Sequence, residues 1–342
     1  MYSQDGDTAL DLARSMENDE VVKLLEEAAE KKKTEFLPRT EINAMLKVVA
    51  DIDKDAKSPD VGTGEGGREG RFSVEPNDII TGQYQDAAKG LHHRLQVEED
   101  EISDRLKKDV AIDAMREEVA KLGDPVVSEH LMYVLDEEAS EKEYPNGIRD
   151  RGNVGKTLKD FAAHPNAKIA NLTTAETAAL RFYTTMAFKF INDPLRDTKS
   201  GKPHPLPVTV MLIARGIRKL KAVGANDESA VQTQVLFRGM KNVKASDAFV
   251  KSGGTELAPM STTTEIKTAT EYSISDNSLI FYIKTKNGMQ RGADIQFLSA
   301  FPAEAEVLYP PLTYLQPTGR MQEVAVEGRG FTVVEVKATL AS

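Results

Sequence analysis

The 342-residue sequence predicts an α+β fold, helical in its first half and sheet-rich in its second, on three observations. Apolar residues recur at helical spacing between residues 86 and 142: Leu91 and Leu95, then Ile102, Leu106, Val110, Met115 and Val119, then Val127, Leu131 and Val134. Beyond residue 230 the texture changes to short runs of strand formers at 235–238, 279–284, 295–300, 307–309, 323–327 and 331–336, divided by turn residues. That spacing suits an antiparallel sandwich rather than a doubly wound parallel sheet. The charge also changes sign: residues 1–159 carry 23 Lys+Arg against 37 Asp+Glu, and residues 160–342 carry 21 against 17. A mildly basic half suits an anionic ligand, whereas an acidic half disfavours nucleic acid as the main partner.

The length allows two or three domains, and 40% hydrophobic with 29% charged residues is ordinary for a soluble globular protein. The absence of cysteine excludes disulfides and thiolate metal ligands and favours a reducing compartment. No apolar run approaches 18 residues and no secretory leader opens at Met1, so a cytoplasmic protein is expected, with the nucleus also open to it and no membrane contact.

Residues 5–13, DGDTALDLA, followed by 20–28, EVVKLLEEA, resemble the turn and second helix of one ankyrin repeat. A lone repeat leaves its apolar face uncovered, so residues 1–33 are expected to end a longer array, whose role by analogy is protein binding. A helix is predicted within 34–56 through Ile42, Met45, Leu46, Val48 and Val49, and a flexible Gly-rich loop at 57–71. The loop's Gly62-x-Gly64-x-x-Gly67 is no dinucleotide fingerprint, because neither the strand before it nor the helix after it is present. Gly155-Lys156-Thr157 fails as a P-loop because Asp150 stands where the first glycine belongs. His92 and His93 are adjacent and face different ways, while His130, His164 and His204 are isolated, so no metal site is expected.

Residues 301–311, FPAEAEVLYPP, set Glu304 and Glu306 one residue apart at the head of an apolar run. Strand alternation would point both acids to one side, where two close carboxylates favour a cationic partner. Upstream stand Arg238-Gly239, ending an apolar run, and Ser261-Thr262-Thr263 after a Gly253-Gly254 turn. Earlier still, a helix predicted over 173–196 opens with the capping box Thr173-x-x-Glu176 and contains Tyr183-Thr184 and Asn192-x-x-Leu195-Arg196. Arginine, serine and glutamate in this order, with those helix elements, resemble the mono-ADP-ribosyltransferases of the R-S-E class over residues 155–342. The E-V-L-x-P-P after the first acid is similar to the arginine-specific eukaryotic enzymes.

The resemblance implies a two-sheet antiparallel ADP-ribosyltransferase fold at 155–342, preceded by an acidic helical region at 34–154. It implies NAD as co-substrate and a protein with an exposed arginine as acceptor. Glu306 would hold the ribose and stabilise the ribosyl cation, and Ser261 would fix Glu306, with Thr262 and Thr263 completing the strand. Arg238 and Arg196 would meet the NAD phosphates, and Gly239 would let backbone approach the nicotinamide amide. Tyr272 would cover the nicotinamide from a loop, Glu304 would activate the acceptor guanidinium, and Phe301 would stack on it. An NAD glycohydrolase and an inactive binding scaffold are the alternatives.

Overall fold

The computed structural model describes residues 13–14, 16, 18–25, 35–54, 87–136, 150–224 and 232–340. Residues 5–12 of the ankyrin-like turn, the Gly-rich loop at 57–71 and its three spaced glycines lie outside them.

The predicted helical half is present. Helix α1 spans Arg39–Lys54, and α2 (Ala87–Leu95), α3 (Glu99–Arg105), α4 (Ala111–Leu122) and α5 (Pro125–Leu135) follow. Pro125 occupies the first turn of α5, where its missing N–H costs nothing, and Asp124 caps the helix by accepting from Val126 N and Val127 N at 2.9 and 3.1 Å.

Next come α6 (Leu158–Ala163), α7 (Pro165–Ile169), α8 (Thr174–Tyr183), α9 (Phe188–Arg196) and α10 (Pro207–Gly224). The capping box opens α8 as predicted: Glu176 N donates to Thr173 Oγ1 at 3.1 Å, and Thr173 N donates to Glu176 Oε2 at 2.8 Å. The helix expected to run through to Arg196 is instead two helices. Thr184 and Thr185 turn their hydroxyls back onto the carbonyls of Arg181 and Phe182 at 2.8 and 2.7 Å, bonds that compete with the helical ladder and end α8 there.

The sheet comprises β1 (Gln234–Lys241), β2 (Gly254–Glu256), β3 (Met260–Thr263), β4 (Ser278–Thr285), β5 (Ala293–Asp294), β6 (Glu306–Tyr309), β7 (Thr313–Val326) and β8 (Arg329–Thr339). Helices α11 (Asp247–Ser252) and α12 (Ile266–Ser273) interrupt it in sequence. Its order is β2-β7-β8-β4-β1-β3-β6-β5. The pairing is antiparallel except for β4 with β8, which run parallel, a departure from the all-antiparallel expectation. The run at 295–300 is not a strand: Asp294 Oδ1 accepts from Gln296 N at 2.9 Å and starts a single 3-10 turn, Gln296–Leu298.

One junction shapes the molecule. β1 pairs with β4 along its whole length, but its only register pair with β3 is Phe237↔Thr263. The sheet is thereby divided into a five-strand part and the three-strand part β3-β6-β5, meeting at one point. Arg238 and Gly239 on β1, and Ser261 and Thr262 on β3, are the residues next to that junction.

The N-terminal helices share the core of the second half. Leu95, Met115, Val119 and Leu131 belong to one buried cluster with Leu180, Ile191, Ile213 and Leu308. Two polar ties reinforce it. The buried Glu118 carboxylate on α4 accepts from Val208 N and Thr209 N at 2.7 and 3.1 Å, capping α10. Arg94 on α2 donates to the carbonyls of Leu195 and Asp197, each at 2.7 Å, where α9 ends. On another face, Leu37, Met45 and Val49 cover Phe237, Ile280 and Phe331, and Gln322 Oε1 accepts from Phe36 N and Leu37 N. Among the described residues no helix is long and apolar enough to cross a membrane.

Candidate functional site

Glu306 is the first residue of β6 and is buried, directly across from Thr263 of β3. Glu304 comes beside it by a different route from the one expected. It is the last residue of a 3-10 turn, Pro302–Glu304, and Ala305 follows in the left-handed region at φ 47°. Strand alternation therefore plays no part; the turn and the left-handed residue together bring the acids close. Such a conformation is uncommon for a residue with a Cβ and costs about 1–2 kcal/mol. It is held from both sides, since Thr263 Oγ1 donates to Glu304 O at 2.6 Å and Glu304 N donates to Phe301 O at 2.9 Å.

Burial pushes the Glu306 carboxyl up to about 7, the neighbouring Glu304 charge adds to the rise, and a hydrogen bond from the Ser261 hydroxyl opposes it. Burial also raises Glu304, against a bond from Tyr272 and with help from Glu271. Both acids are thus shifted toward the proton-holding form, the behaviour of carboxyls crowded in a partly dry site.

Of the three hydroxyls on β3, only Ser261 turns to Glu306. Thr262 lies on the opposite face with Met260 and donates to Val307 O at 2.6 Å, locking β3 to β6. Thr263 holds the turn as described and accepts from Glu265 N at 2.9 Å. Tyr272 stands on helix α12, not in a loop: Ile266, Ala269, Thr270 and Ser273 form the buried face of this helix. Its ring is half-exposed, and its hydroxyl donates to Glu304 Oε1 at 2.8 Å. Phe301, half-buried, caps the same turn.

Across the junction, Arg238 is buried; its Nη1 donates to Ser261 O at 3.1 Å and its Nη2 to Glu256 Oε2 at 3.2 Å. Arg196, from the end of α9, grips the same carboxylate in a fork, Nε to Oε1 at 2.9 Å and Nη2 to Oε2 at 3.1 Å. Glu256, fully buried on β2, is thus shared by both arginines. Burial alone would raise its carboxyl, but the two guanidiniums outweigh that and hold it below the usual glutamate range. The trio retains one net positive charge. Gly239 answers to packing: a Cβ there would lie 1.7 Å from Ala269 O, so α12 approaches β1 only because no side chain intervenes.

Glu256 was not anticipated. Two arginines committed to an enclosed place require a carboxylate, but nothing in the sequence singles out which of 54 acidic residues supplies it. Tyr183 and Asn192 also enter the site: Asn192 Nδ2 donates to Tyr183 Oη at 3.1 Å, which donates to Pro259 O at 3.1 Å. Burial and then the nearby Glu306 charge keep the Tyr183 phenol protonated. Among the described residues no cluster of His, Asp or Glu is arranged to hold a metal.

The arginine, serine and glutamate strands therefore converge as the motif order implied. A family model described as ADP-ribosyltransferase exoenzyme matches residues 159–339, more than half of the chain. The chain belongs to the ADP-ribosyltransferase exoenzyme family. Solved structures similar to it include Plx2a, an ADP-ribosyltransferase toxin from Paenibacillus larvae, at 16% identity over 53% of this chain and 94% of that one, TM-score 0.40. HopU1 of Pseudomonas syringae pv. tomato DC3000 is similar at 19% identity over 61% and 96%, TM-score 0.39, and the Vis toxin from Vibrio splendidus at 19% over 52% and 81%, TM-score 0.37. No curated protein matches. As a member of its family, this ADP-ribosyltransferase is a transferase with NAD as donor.

Replacing Glu256 by Gln removes the charge between two buried guanidiniums and is expected to cost about 3–5 kcal/mol in denaturant unfolding. A loss below about 1 kcal/mol would show that the trio does not hold the junction. Glu306 gives a pH signature. Its folded-state value, about 7, lies above the ordinary 4.5, so the folded protein holds the extra proton between them. The stabilisation is complete below 4.5 and declines as pH rises through about 7. Relative to Glu306→Gln, wild type is expected to lose on the order of 3 kcal/mol across that window. Parallel stability-versus-pH curves would contradict the shift.

Proposed function

We propose that this ADP-ribosyltransferase transfers ADP-ribose from NAD to a protein arginine, releasing nicotinamide. The observation that carries the acceptor choice is Glu304, a partly enclosed carboxylate at the mouth of the site, tied to Tyr272 and adjacent to Glu306. A free guanidinium, with a pKa of roughly 12.5–13.8, attacks only if a base takes its proton as the bond forms. A carboxylate raised above its ordinary range is a better base for that task once ionised.

In this reading the bond between nicotinamide nitrogen and ribose carbon breaks, and positive charge develops on the sugar. Glu306 supplies negative charge where it develops, an interaction stronger in the transition state than before it. Ser261 fixes the Glu306 rotamer. Arg238 and Arg196 present the net positive charge of their trio to the pyrophosphate, with the backbone at Gly239 beside them. Thr262 and Thr263 act through the backbone, the first locking β3 to β6 and the second setting the turn. Tyr272 borders the nicotinamide end, and the Phe301 ring stacks on the incoming guanidinium, worth about 0.5–2 kcal/mol. An arginine nitrogen then bonds to the ribose carbon, and Glu304 takes the proton.

Glu304→Gln is expected to lower arginine labelling by about 10²-fold or more while nicotinamide release continues, and Glu306→Gln to abolish both. The readouts are label from NAD on an arginine-rich acceptor, released by neutral hydroxylamine, and free nicotinamide. Equal loss of both activities in the Glu304 variant would remove the base from this account, and wild type that releases nicotinamide without labelling arginine would be a hydrolase. No NAD turnover would leave a binding scaffold.

A further inference from the structure

We infer that residues 150–153, which precede the family-matched segment, form a clamp that positions the acceptor turn and so governs transfer rather than NAD cleavage. The inference rests on the arginine-transfer reading for its functional consequence. The backbone entering the turn, 298–300, is held from outside at each carbonyl. Leu298 O accepts from Arg181 Nη1 at 2.9 Å, Ser299 O from Asn153 Nδ2 at 2.7 Å, and Ala300 O from Arg151 N at 2.8 Å. Ala300 N in turn donates to Thr184 Oγ1 at 3.0 Å.

Asp150 organises the clamp. Its Oδ1 accepts from Gly152 N and Asn153 N at 3.2 and 2.9 Å, setting the local turn. Its Oδ2 accepts from Tyr133 Oη at 2.6 Å and pairs with the buried Arg181 guanidinium, which also lies over the Phe161 ring. The network thereby joins α5, α6, α8 and the acceptor turn.

Gly152 closes the contact. A Cβ there would lie 2.2 Å from Pro302 Cγ and 2.8 Å from Cδ, and a proline ring has little freedom to give way. Pro302 opens the 3-10 turn that ends at Glu304, so movement of the ring moves Glu304 and Phe301. Beyond Pro302 the clamp reaches Glu304 through the charge of Arg151, which opposes the rise that burial imposes on that carboxyl, whereas Glu306 is held by the β3–β6 ladder. Gly152 and Asn153 are positioning residues: they touch neither reacting group and act through the turn.

The test is Gly152→Ala in the full chain; Gly152 is exposed, so the core is undisturbed. Arginine transfer is expected to fall about 10²-fold in kcat/KM, the scale of a misplaced reacting group, with nicotinamide release into water unchanged. Unchanged transfer, or loss of both activities together, would overturn the inference. Hydrogen exchange reads the clamp independently of the acceptor: in Gly152→Ala and Asn153→Ala, amides within 301–305 are expected to exchange faster while those of 260–263 do not. If wild type labels no arginine, the transfer reading fails on its own, and unaltered exchange at 301–305 would then dispose of the clamp.

Discussion

The arrangement turns on one carboxyl group that must ionise where ionisation is opposed. Glu306 is buried at the start of β6 with Glu304 beside it, and both conditions favour the neutral form. Ser261 supplies the one opposing hydrogen bond, and its carbonyl anchors Arg238. A group poised in this way gains most from a cation that develops beside it, because the cation removes the penalty its surroundings impose. Resting-state strain and transition-state complementarity then have the same source.

The cleft depends in turn on where the sheet comes apart. Because β1 and β3 share one register pair, the residues beyond Phe237 and before Thr263 are free of the ladder between these strands and are joined by side chains instead. Glu256 carries that task from β2, reaching Arg238 on β1 and Arg196 on α9. Arg94 and Glu118 continue the chain of constraint outward, one closing the end of α9 and the other the start of α10. Helices α2–α5, which lie outside the family-matched residues, therefore brace the site as well as filling the core.

Much of this was legible in the sequence where the signal was local. The Thr173 capping box and the apolar spacing of α1 each depend on neighbours within a turn or two, and each is as expected. The order of Arg238, Ser261 and Glu306 identified strands that do converge. What was not legible was tertiary. The partnership of Glu256 spans α9, β1 and β2, and no spacing rule connects them. The 3-10 turn at Gln296–Leu298 is started locally by Asp294, but it and the turn at Pro302–Glu304 are held from distant segments, by Arg181 on Leu298 O and Thr263 on Glu304 O. Gly239 looked like a place for ligand approach, and its glycine is required by the carbonyl of Ala269.

The direct test of the central claim is the pH dependence of NAD cleavage without acceptor, measured as kcat/KM for nicotinamide release from pH 5.5 to 8.5. The rate should rise with unit slope to a plateau above about 7, where Glu306 becomes ionised. Glu304→Gln should move that midpoint downward, because the neighbouring charge that raises Glu306 is gone. A flat profile, or a midpoint that ignores the loss of Glu304, would contradict the account.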